Sequence, residues 1–268
     1  MRVAAIQMNS GADVTANLQL ADALLGDASA DGCKLAVLPE NFPLMPVMGR
    51  DKADHAERPG EGPIQVFLAD AARRHALWII GGSMPLASPD PHRVYGGCPV
   101  FDDNGRMQAL YRKIHLFDVD LAGSNESYRE SHSMYPGEDP VLVETPLGKL
   151  GLTICYDLRF PELFRRLVDD GATMFTVPAA FTRTTGEAHW HVLLRARAIE
   201  NLAFVIAAGQ TGAHADERQT FGHSMIVDPW GRVLAELPDG NGFIAANIDL
   251  DAQRKLRAGL PVLDHRRI

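Results

Sequence analysis

Residues 152–162 read Leu152-Thr153-Ile154-Cys155-Tyr156-Asp157-Leu158-Arg159-Phe160-Pro161-Glu162, and this stretch decides the fold of the 268-residue chain. Its apolar beginning predicts a strand that ends at Cys155, while Pro161 and Glu162 predict the start of a helix. At such a junction we expect the thiol above a sheet edge, exposed to a ligand, with the helix N-terminus favouring its thiolate. A nucleophile needs this placement. A buried structural thiol is the alternative, because free cysteines pack well in cores.

Strands alternate with helices in the first third of the chain. Val3–Gln7, Leu35–Leu38 and Trp78–Gly82 have the apolar character of buried strands. Asp13–Leu25 and Ile64–Arg74 have the apolar spacing of amphipathic helices. This βαβ rhythm predicts a mixed or parallel sheet that is covered by helices, and therefore an α/β fold.

Three hairpins interrupt this rhythm. In 99–113, 141–154 and 225–234, two apolar runs flank a short turn that contains glycine. Because no Ser/Gly linker or low-complexity tract divides the chain, we expect a single domain over residues 1–268. The polar stretch Gly49–Gly62, rich in Pro and Gly, predicts a surface loop near the mouth of the site.

Composition excludes several classes of protein. A formal net charge of -8 and a pI near 5.7 argue against a nucleic-acid or anionic-membrane partner, because neither polyanion would be attracted. The three cysteines, Cys33, Cys98 and Cys155, have no paired spacing and fit a reducing cytosol. No run approaches the roughly 18 apolar residues of a membrane span. We therefore expect a soluble, cytoplasmic protein.

Two charged residues also follow predicted strands. Glu40 comes directly after the strand at Leu35–Leu38, and Lys113 follows an apolar run at Ala109–Tyr111. A solvated strand-end acid and a surface lysine are the simplest interpretations of each alone. In open α/β folds, however, ligands bind beyond the carboxyl ends of the strands, where Cys155 is also expected.

Three motifs, in chain order, resemble the signatures of the nitrilase superfamily of carbon–nitrogen hydrolases. They are Leu38-Pro39-Glu40, Tyr111-Arg112-Lys113-Ile114-His115-Leu116 and Cys155-Tyr156-Asp157-Leu158-Arg159-Phe160-Pro161-Glu162. Other segments are similar to the same superfamily: Asn125–Ser131 followed by Pro136-Gly137, His189-Trp190, Arg195–Asn201 and Gly222–Ser224. The resemblance covers effectively the whole chain, and the ordered combination is highly specific.

This resemblance implies a four-layer α-β-β-α sandwich and a division of roles in amide hydrolysis. Cys155 is the implied nucleophile, which forms a thioester acyl-enzyme. Glu40 is the implied general base and acid. Lys113 and the backbone N–H of Tyr156 stabilise the oxyanion, and Glu130 orients Lys113 and the substrate. This chemistry needs neither a metal nor an organic cofactor.

The segments around Lys113 and Cys155 look most like the branch that contains ω-amidase and deaminated-glutathione amidase. Members of that branch hydrolyse an amide of a small 2-oxo acid or of its peptide derivative. Val192–Gln210 and Gly222–Gly231 resemble deaminated-glutathione amidase, a metabolite-repair hydrolase, more closely. The implied substrate is therefore deaminated glutathione, with the ω-amides 2-oxoglutaramate and 2-oxosuccinamate as the alternative.

An anionic substrate needs a cation beside the nucleophile. Arg159 follows Cys155 by about one helical turn and could pair with a substrate carboxylate. Phe181 and Thr185 are expected to contact the acyl chain. The alternative interpretation is equally open: Arg159 forms a structural salt bridge, and Phe181 belongs to the core.

The ten histidines raise the possibility of a Cys-His mechanism or a metal site. His115 and His223 lie in apolar contexts that favour structural hydrogen bonding. His189 and His191 lie two apart in an expected helix, so they point to different faces and chelate poorly. We therefore expect neither a histidine base nor a metal site.

Other functions share these motifs. Aliphatic amidases, N-carbamoyl-amino-acid hydrolases and nitrilases have the same triad and differ in the pocket. A non-catalytic scaffold is disfavoured because Glu40, Lys113, Glu130 and Cys155 are all retained. The resemblance also implies a homodimer or higher oligomer, with the helices after Cys155 and after His189 at the interface.

Overall fold

Two stacked β-sheets form the centre of the protein, in a computed structural model that describes residues 1–46, 51–121, 126–215 and 218–267. The helices are α1 (Val14–Ala30), α2 (Asp51–Asp54), α3 (Pro63–His75), α4 (Pro161–Asp169), α5 (Arg183–Asn201) and α6 (Leu250–Gly259), with 3-10 helices at Glu130–His132 and Cys155–Arg159. The strands are β1 (Arg2–Gln7), β2 (Leu35–Val37), β3 (Trp78–Ile80), β4 (Met84–Ala87), β5 (Val94–Phe101), β6 (Met107–Arg112), β7 (Asp118–Asp120), β8 (Ser127–Arg129), β9 (Val141–Thr145), β10 (Gly148–Leu152), β11 (Met174–Ala179), β12 (Phe204–Gly209), β13 (Thr211–Ala213), β14 (Gln219–Phe221), β15 (Ser224–Val227), β16 (Val233–Leu237) and β17 (Gly242–Asn247).

The first sheet has seven strands in the order β17-β1-β2-β3-β5-β4, with β6 paired to β5. The second has six strands in the order β16-β15-β12-β11-β10-β9. Helices α1 and α3 pack outside the first sheet, α4 and α5 pack outside the second, and β1 contacts β12 across the middle. This is the four-layer α-β-β-α sandwich that the motifs imply.

Strand β1 explains why the layers stack in this way. Its side chains alternate between two apolar clusters, as the two-residue period of a strand requires. Val3 and Ala5 face the second sheet, whereas Ala4 and Ile6 face α1 and α3. A strand that is apolar on both faces is stable only between two layers, so the uninterrupted apolar run of β1 indicates its central position.

The predicted hairpins are present. The pairs β5–β6, β9–β10 and β15–β16 are antiparallel, with bulges in the first and third. In the first turn, Gly105 has a φ of 71°, and a Cβ there would lie 2.5 Å from the carbonyl oxygen of Ala69. Glycine is therefore required at this position, because only it adopts a positive φ freely and tolerates such a close approach.

The stretch 49–62 differs from the expected surface loop. Residues 49–50 lie outside the described residues, as does residue 125 of the Asn125–Ser131 segment. Asp51–Asp54 forms α2, in which Lys52 is buried. Glu57 is also buried, and its carboxylate accepts hydrogen bonds from the backbone of Ile64 at 2.6 Å and Gln65 at 3.1 Å. The stretch folds inward because Glu57 satisfies the free N–H groups at the start of α3.

Two further expectations concern the whole chain. A single domain over residues 1–268 stays a prediction. Among the described residues, no helix combines the length and the apolar character that a membrane span requires.

Candidate active site

The site lies where several strands end. Glu40 follows β2, Lys113 follows β6 and Cys155 follows β10, and all three line one cleft with Ala180, which follows β11. Strands β10 and β11 are parallel neighbours, so their carboxyl ends meet at one edge. The prediction that the three candidate residues converge is therefore confirmed in geometric terms.

The Cys155 loop has an unusual backbone conformation. Cys155 has a φ of 48°, a region that non-glycine residues rarely adopt, and it opens the 3-10 helix. The buried Asp157 stabilises the loop by accepting hydrogen bonds from the Ile154 N–H at 2.8 Å and the Tyr111 hydroxyl at 2.6 Å. The His115 N–H also donates to Asp157, at 3.1 Å. The fully buried carboxylate thus ties the cysteine loop to the end of β6.

Lys113 is the centre of an ion-pair network. It is 2% exposed, and its Nζ lies 2.8 Å from Oε1 of Glu40 and 2.8 Å from each carboxylate oxygen of Glu130. The other oxygen of Glu40 accepts a hydrogen bond from the Ala180 N–H at 2.8 Å. Oε2 of Glu130 also accepts one from the Phe117 N–H, at 2.6 Å. One cation therefore holds both carboxylates, and backbone donors fix their orientation.

The charges of this network set its protonation. Burial disfavours the charged form of Lys113, but the carboxylates of Glu130 and Glu40 outweigh it and raise the pKa of the ammonium well above its usual value. Burial also raises the pKa of Glu40, but the charge and hydrogen bond of Lys113 outweigh it and leave this pKa below its usual value. Glu40 is a carboxylate beside an ammonium.

Cys155 is a thiol rather than a thiolate. It is 8% exposed, and burial raises its pKa well above the usual value, followed by the charge of Glu40, against the smaller opposing effect of Lys113. Glu40 and the thiol line the same cleft, close enough for the carboxylate charge to disfavour the thiolate. A nearby helix start favours the thiolate, as expected, but desolvation of the sulfur and the adjacent carboxylate outweigh this effect. Cys155 was expected to be exposed to a ligand. It does line the cleft, although most of its surface is buried.

The cleft has a volume of about 980 Å³, which includes space open to solvent, and suits a small molecule. It is rich in positive charge, although the chain as a whole is acidic. Five cationic residues line it, against the two carboxylates of Glu40 and Glu130: Lys52, Lys113, Arg129, Arg159 and Arg218. Such a lining attracts anionic ligands.

The expected substrate contacts also line the cleft: Tyr156, Arg159, Phe181 and Thr185. The Arg159 guanidinium lies 5.2 Å from the ring centroid of Phe181 and its Nη1 lies 3.3 Å from Nδ1 of His189. Within the described part of the chain, Arg159 forms no ion pair with a carboxylate, so the salt-bridge alternative is not found there. Phe181 satisfies both interpretations, because it lines the cleft and packs against Trp190 at 4.9 Å.

Asp157 and Lys52 are among the residues in and around the site that were not singled out from the sequence. Asp157 lies inside the Cys155 motif, and its position at the start of a 3-10 turn was a signal for a capping role. Lys52 had no such signal, because it lies in a polar stretch without periodicity. It is buried, and its Nζ lies 3.6 Å from the sulfur of Met134.

The histidines make structural contacts. His115 Nδ1 lies 2.7 Å from Asp157, and its ring stacks on Phe160 at 3.7 Å. His223 Nδ1 contacts Glu236. Neither ring lines the cleft. The expectation of structural hydrogen bonding is confirmed for both.

His189 and His191 face different partners, as their spacing predicts. His189 contacts Arg159, whereas His191 Nε2 lies 2.8 Å from Glu236. His191, His223 and Glu236 bring three ligand-type atoms within 4.8 Å of one another outside the cleft. Glu236 already accepts from both rings, and the expectation of no metal or cofactor stays a prediction.

Comparisons with known proteins agree with this geometry. The sequence profile of the carbon-nitrogen hydrolase family matches residues 2–258. The chain is 42% identical to the deaminated glutathione amidase of Yersinia enterocolitica, over 99% of this chain and 92% of that protein. It superimposes on Saccharomyces cerevisiae Nit3, a member of branch 10 of the nitrilase superfamily, with a TM-score of 0.90 and 31% identity, covering 100% of this chain and 97% of that chain.

In the structure of a third relative, the active-site cysteine has reacted with a small molecule. That relative is a Glu-to-Gln mutant of the amidase from Nesterenkonia sp. AN1, which shows Michael addition of acrylamide at the active-site cysteine. This chain is 27% identical to it, with a TM-score of 0.79 and coverage of 97% of this chain and 98% of that chain. The protein is thus an amide-hydrolysing enzyme and belongs to the carbon–nitrogen hydrolase family.

Proposed function

We propose that this protein is a cysteine-dependent amidohydrolase that cleaves the amide of a small 2-oxo-acid-type substrate, best represented by deaminated glutathione. The observation that carries the proposal is the meeting of Cys155, Glu40 and Lys113 in one cation-lined cleft. The similarity to deaminated glutathione amidases over nearly the whole chain supports the substrate. The biological role is then metabolite repair.

Acylation begins from the thiol. Cys155 Sγ attacks the amide carbonyl carbon while Glu40 takes the thiol proton, a transfer that the position of Glu40 in the same cleft as the thiol supports. The carbonyl oxygen becomes an oxyanion, which Lys113 and the backbone N–H of Tyr156 stabilise. Glu40 then donates the proton to the departing nitrogen. The C–N bond breaks, the amine leaves and a thioester remains on Cys155.

Deacylation uses the same groups, with water in place of the thiol as the attacking nucleophile. Glu40 removes a proton from water as the water oxygen attacks the thioester carbonyl. The second tetrahedral oxyanion forms beside Lys113 and collapses, breaking the C–S bond. Glu40 returns the proton to the sulfur of Cys155, and the carboxylic acid product leaves. Because Glu40 has a pKa below its usual value, it begins each half-reaction as a carboxylate.

Glu130 is a positioning residue in this scheme. Both of its oxygens lie 2.8 Å from Lys113 Nζ, and its charge helps to keep that nitrogen protonated. The Phe117 N–H holds the carboxylate in turn. Lys113 is then fixed as a cation throughout the cycle and does not exchange protons with the substrate.

The substrate's acyl half is assigned to one wall of the cleft. Arg159 pairs with the 2-oxo acid carboxylate, in the bidentate manner that a guanidinium favours. Phe181 and Thr185 contact the acyl chain. The absence of a carboxylate partner for Arg159 among the described residues supports this assignment, as does its orientation over Phe181.

We also propose a single cytoplasmic domain over residues 1–268 that works without metal or cofactor and has no nucleic-acid or membrane partner. It assembles as a homodimer or higher oligomer through α4 and α5. Apolar side chains on the outer face of α5 support this interface, because Val192 is 68% and Ile199 is 46% exposed. Gly231 lies against Ile199, and the residue before it, Trp230, is a further exposed apolar side chain.

A substrate panel tests the proposal. The purified protein is given deaminated glutathione, 2-oxoglutaramate, aliphatic amides, carbamoyl amino acids and nitriles, with Cys155→Ala as the inactive control. We expect the highest kcat/KM for deaminated glutathione. A clear preference for 2-oxoglutaramate indicates an ω-amidase instead, and a preference for nitriles or carbamoyl compounds overturns the assignment to this branch.

A further inference from the structure

The mechanism does not use Lys52, although this residue lines the cleft. It lies in α2, it is 8% exposed, and its ammonium belongs to the same cavity as Cys155 and Glu130. Within the described residues, its Nζ donates a hydrogen bond to the thioether sulfur of Met134, at 3.6 Å. A thioether is a weak acceptor and carries no charge. A buried ammonium with such a partner requires explanation.

The carboxylates near Lys52 are bound to another residue. Glu40 and Glu130 lie close enough to favour the charged form of Lys52, but their ion pairs within the described chain are with Lys113. Burial has the largest effect on Lys52 and lowers the pKa of its ammonium. The positive charges of Lys113 and Arg218 lower this pKa further. Each of these groups faces the cleft. Lys52 is therefore a desolvated cation without an oxygen acceptor among the described residues.

Lys52 and Arg159 belong to different walls. Lys52 lies beside Met134, a residue that follows shortly after the 3-10 helix beginning at Glu130. Arg159 lies over Phe181 and beside His189 of α5. Because Arg159, Phe181 and Thr185 hold the acyl half in the proposed function, an anion at Lys52 belongs to the half of the substrate that departs.

We propose that Lys52 forms a second anion subsite, which binds a carboxylate on the leaving half of the substrate. The preferred substrate is then a dianion, with one carboxylate at Arg159 and the other at Lys52. This inference rests on the proposed function and deepens it. A subsite at Lys52 favours a peptide-like amide, which carries a carboxylate on each side of the scissile bond. It gives no advantage to an ω-amide, whose leaving group is ammonia.

A lysine suits this subsite for a physical reason. Its ammonium is a compact charge on a flexible stem, and its three N–H groups can donate to a carboxylate from several directions. Burial strengthens the pairing, because a cation that is already desolvated gains more from an incoming anion than an exposed one. The carboxylate also supplies the oxygen acceptors that Met134 does not.

Three substrates separate the contributions of the two carboxylates. Deaminated glutathione carries both. An analogue in which a methyl group replaces the glycine carboxylate keeps only the acyl carboxylate, and 2-oxoglutaramate keeps only that carboxylate with ammonia as its leaving group. The variants are Lys52→Met, which keeps the length of the side chain, Lys52→Arg, which keeps the charge, and Arg159→Leu, which removes the cation of the other wall.

We expect Lys52→Met to lower kcat/KM for deaminated glutathione by about tenfold or more, mainly through KM, and to leave the methyl analogue and 2-oxoglutaramate within about twofold. Lys52→Arg should restore part of the preference. Arg159→Leu should weaken all three substrates. An equal loss for all three in Lys52→Met, or no loss for any, overturns the subsite.

Failure of this inference differs from failure of the proposed function. If the wild-type protein does not favour deaminated glutathione in the panel, the substrate assignment itself is wrong. If it does favour deaminated glutathione but the methyl analogue is hydrolysed equally well, the leaving-half carboxylate contributes nothing and the role of Lys52 is wrong. Thermal unfolding of each variant verifies that a loss of activity is not a loss of fold.

Discussion

Tyr111 and Asp157 join the two halves of the catalytic constellation. The Tyr111 hydroxyl donates to Oδ2 of Asp157 at 2.6 Å, and both side chains are fully buried. Tyr111 lies two residues before Lys113, and Asp157 lies two residues after Cys155. A single buried hydrogen bond thus relates the strand that carries the cation to the turn that carries the thiol.

Removing Asp157 should destabilise the protein. In Asp157→Ala, the Tyr111 hydroxyl and the Ile154 N–H both lose a buried acceptor, so we expect the free energy of unfolding to fall by about 3 kcal/mol. Urea denaturation measures this loss. Tyr111→Phe is the matched variant, because it removes one hydrogen bond and leaves Asp157 with its other donors; about 1 kcal/mol is expected. Equal stability of Asp157→Ala and the wild type would contradict the assigned role.

Local sequence accounts for much of the fold. The hairpins were predictable because turn chemistry and apolar alternation act over a few residues. The helices at Asp13–Leu25 and Ile64–Arg74 were found within a few residues, with α1 ending at Ala30 and α3 at His75. The stacking of two sheets was predictable only from the family resemblance, because no local pattern specifies which strands meet across the layers.

The sequence predicted which residues form the candidate site but not their protonation states. Glu40, Lys113 and Cys155 were identified by their strand-end positions and motifs. Their charge states depend on contacts between residues far apart in the chain, so local sequence does not specify the pKa shifts of Glu40 and Cys155. Lys52 was missed for the same reason, since its burial is a tertiary effect.

Glu40 should be essential for turnover. Glu40→Gln keeps the shape of the side chain but removes the base, so we expect kcat/KM to fall by at least about 10³-fold. Single-turnover and steady-state assays with the preferred amide measure this loss. Substantial activity in this variant would contradict the mechanism and would point to a histidine base.

A second buried carboxylate provides the control for that experiment. Glu57 accepts hydrogen bonds at the start of α3 and lies outside the cleft. Glu57→Gln should therefore lower stability while its kcat per folded molecule stays close to that of the wild type. The contrast separates loss of a catalytic base from loss of a buried charge.

The pKa of Cys155 should fall when Glu40 is neutralised. In the wild type, burial and the Glu40 carboxylate both disfavour the thiolate, against Lys113. Glu40→Gln removes the negative charge and leaves the ammonium, so the thiolate should form at a lower pH than in the wild type. Ultraviolet absorbance of the thiolate, followed during a pH titration, measures this shift.

Each titration of the thiolate needs its own reference. Cys33 and Cys98 are also buried, and burial raises the pKa of each thiol. Subtracting the same background with Cys155→Ser removes their contribution. An unchanged or higher pKa for Cys155 in Glu40→Gln would show that the carboxylate does not control the protonation of the sulfur.

Arg159 should select for a carboxylate on the acyl half. Its guanidinium lies over Phe181 within the cleft and forms no ion pair with a carboxylate in the described ranges, so a substrate carboxylate can pair with it directly. In Arg159→Leu, we expect KM to rise by about tenfold or more for 2-oxo-acid amides and by less than about twofold for neutral aliphatic amides. Arg159→Lys keeps the charge without the planar fork and should fall between the two. Because the Cys155 and Glu40 chemistry is unchanged, kcat should vary less than KM. If both classes of amide weaken equally, Arg159 supports the Cys155 turn and does not read the substrate.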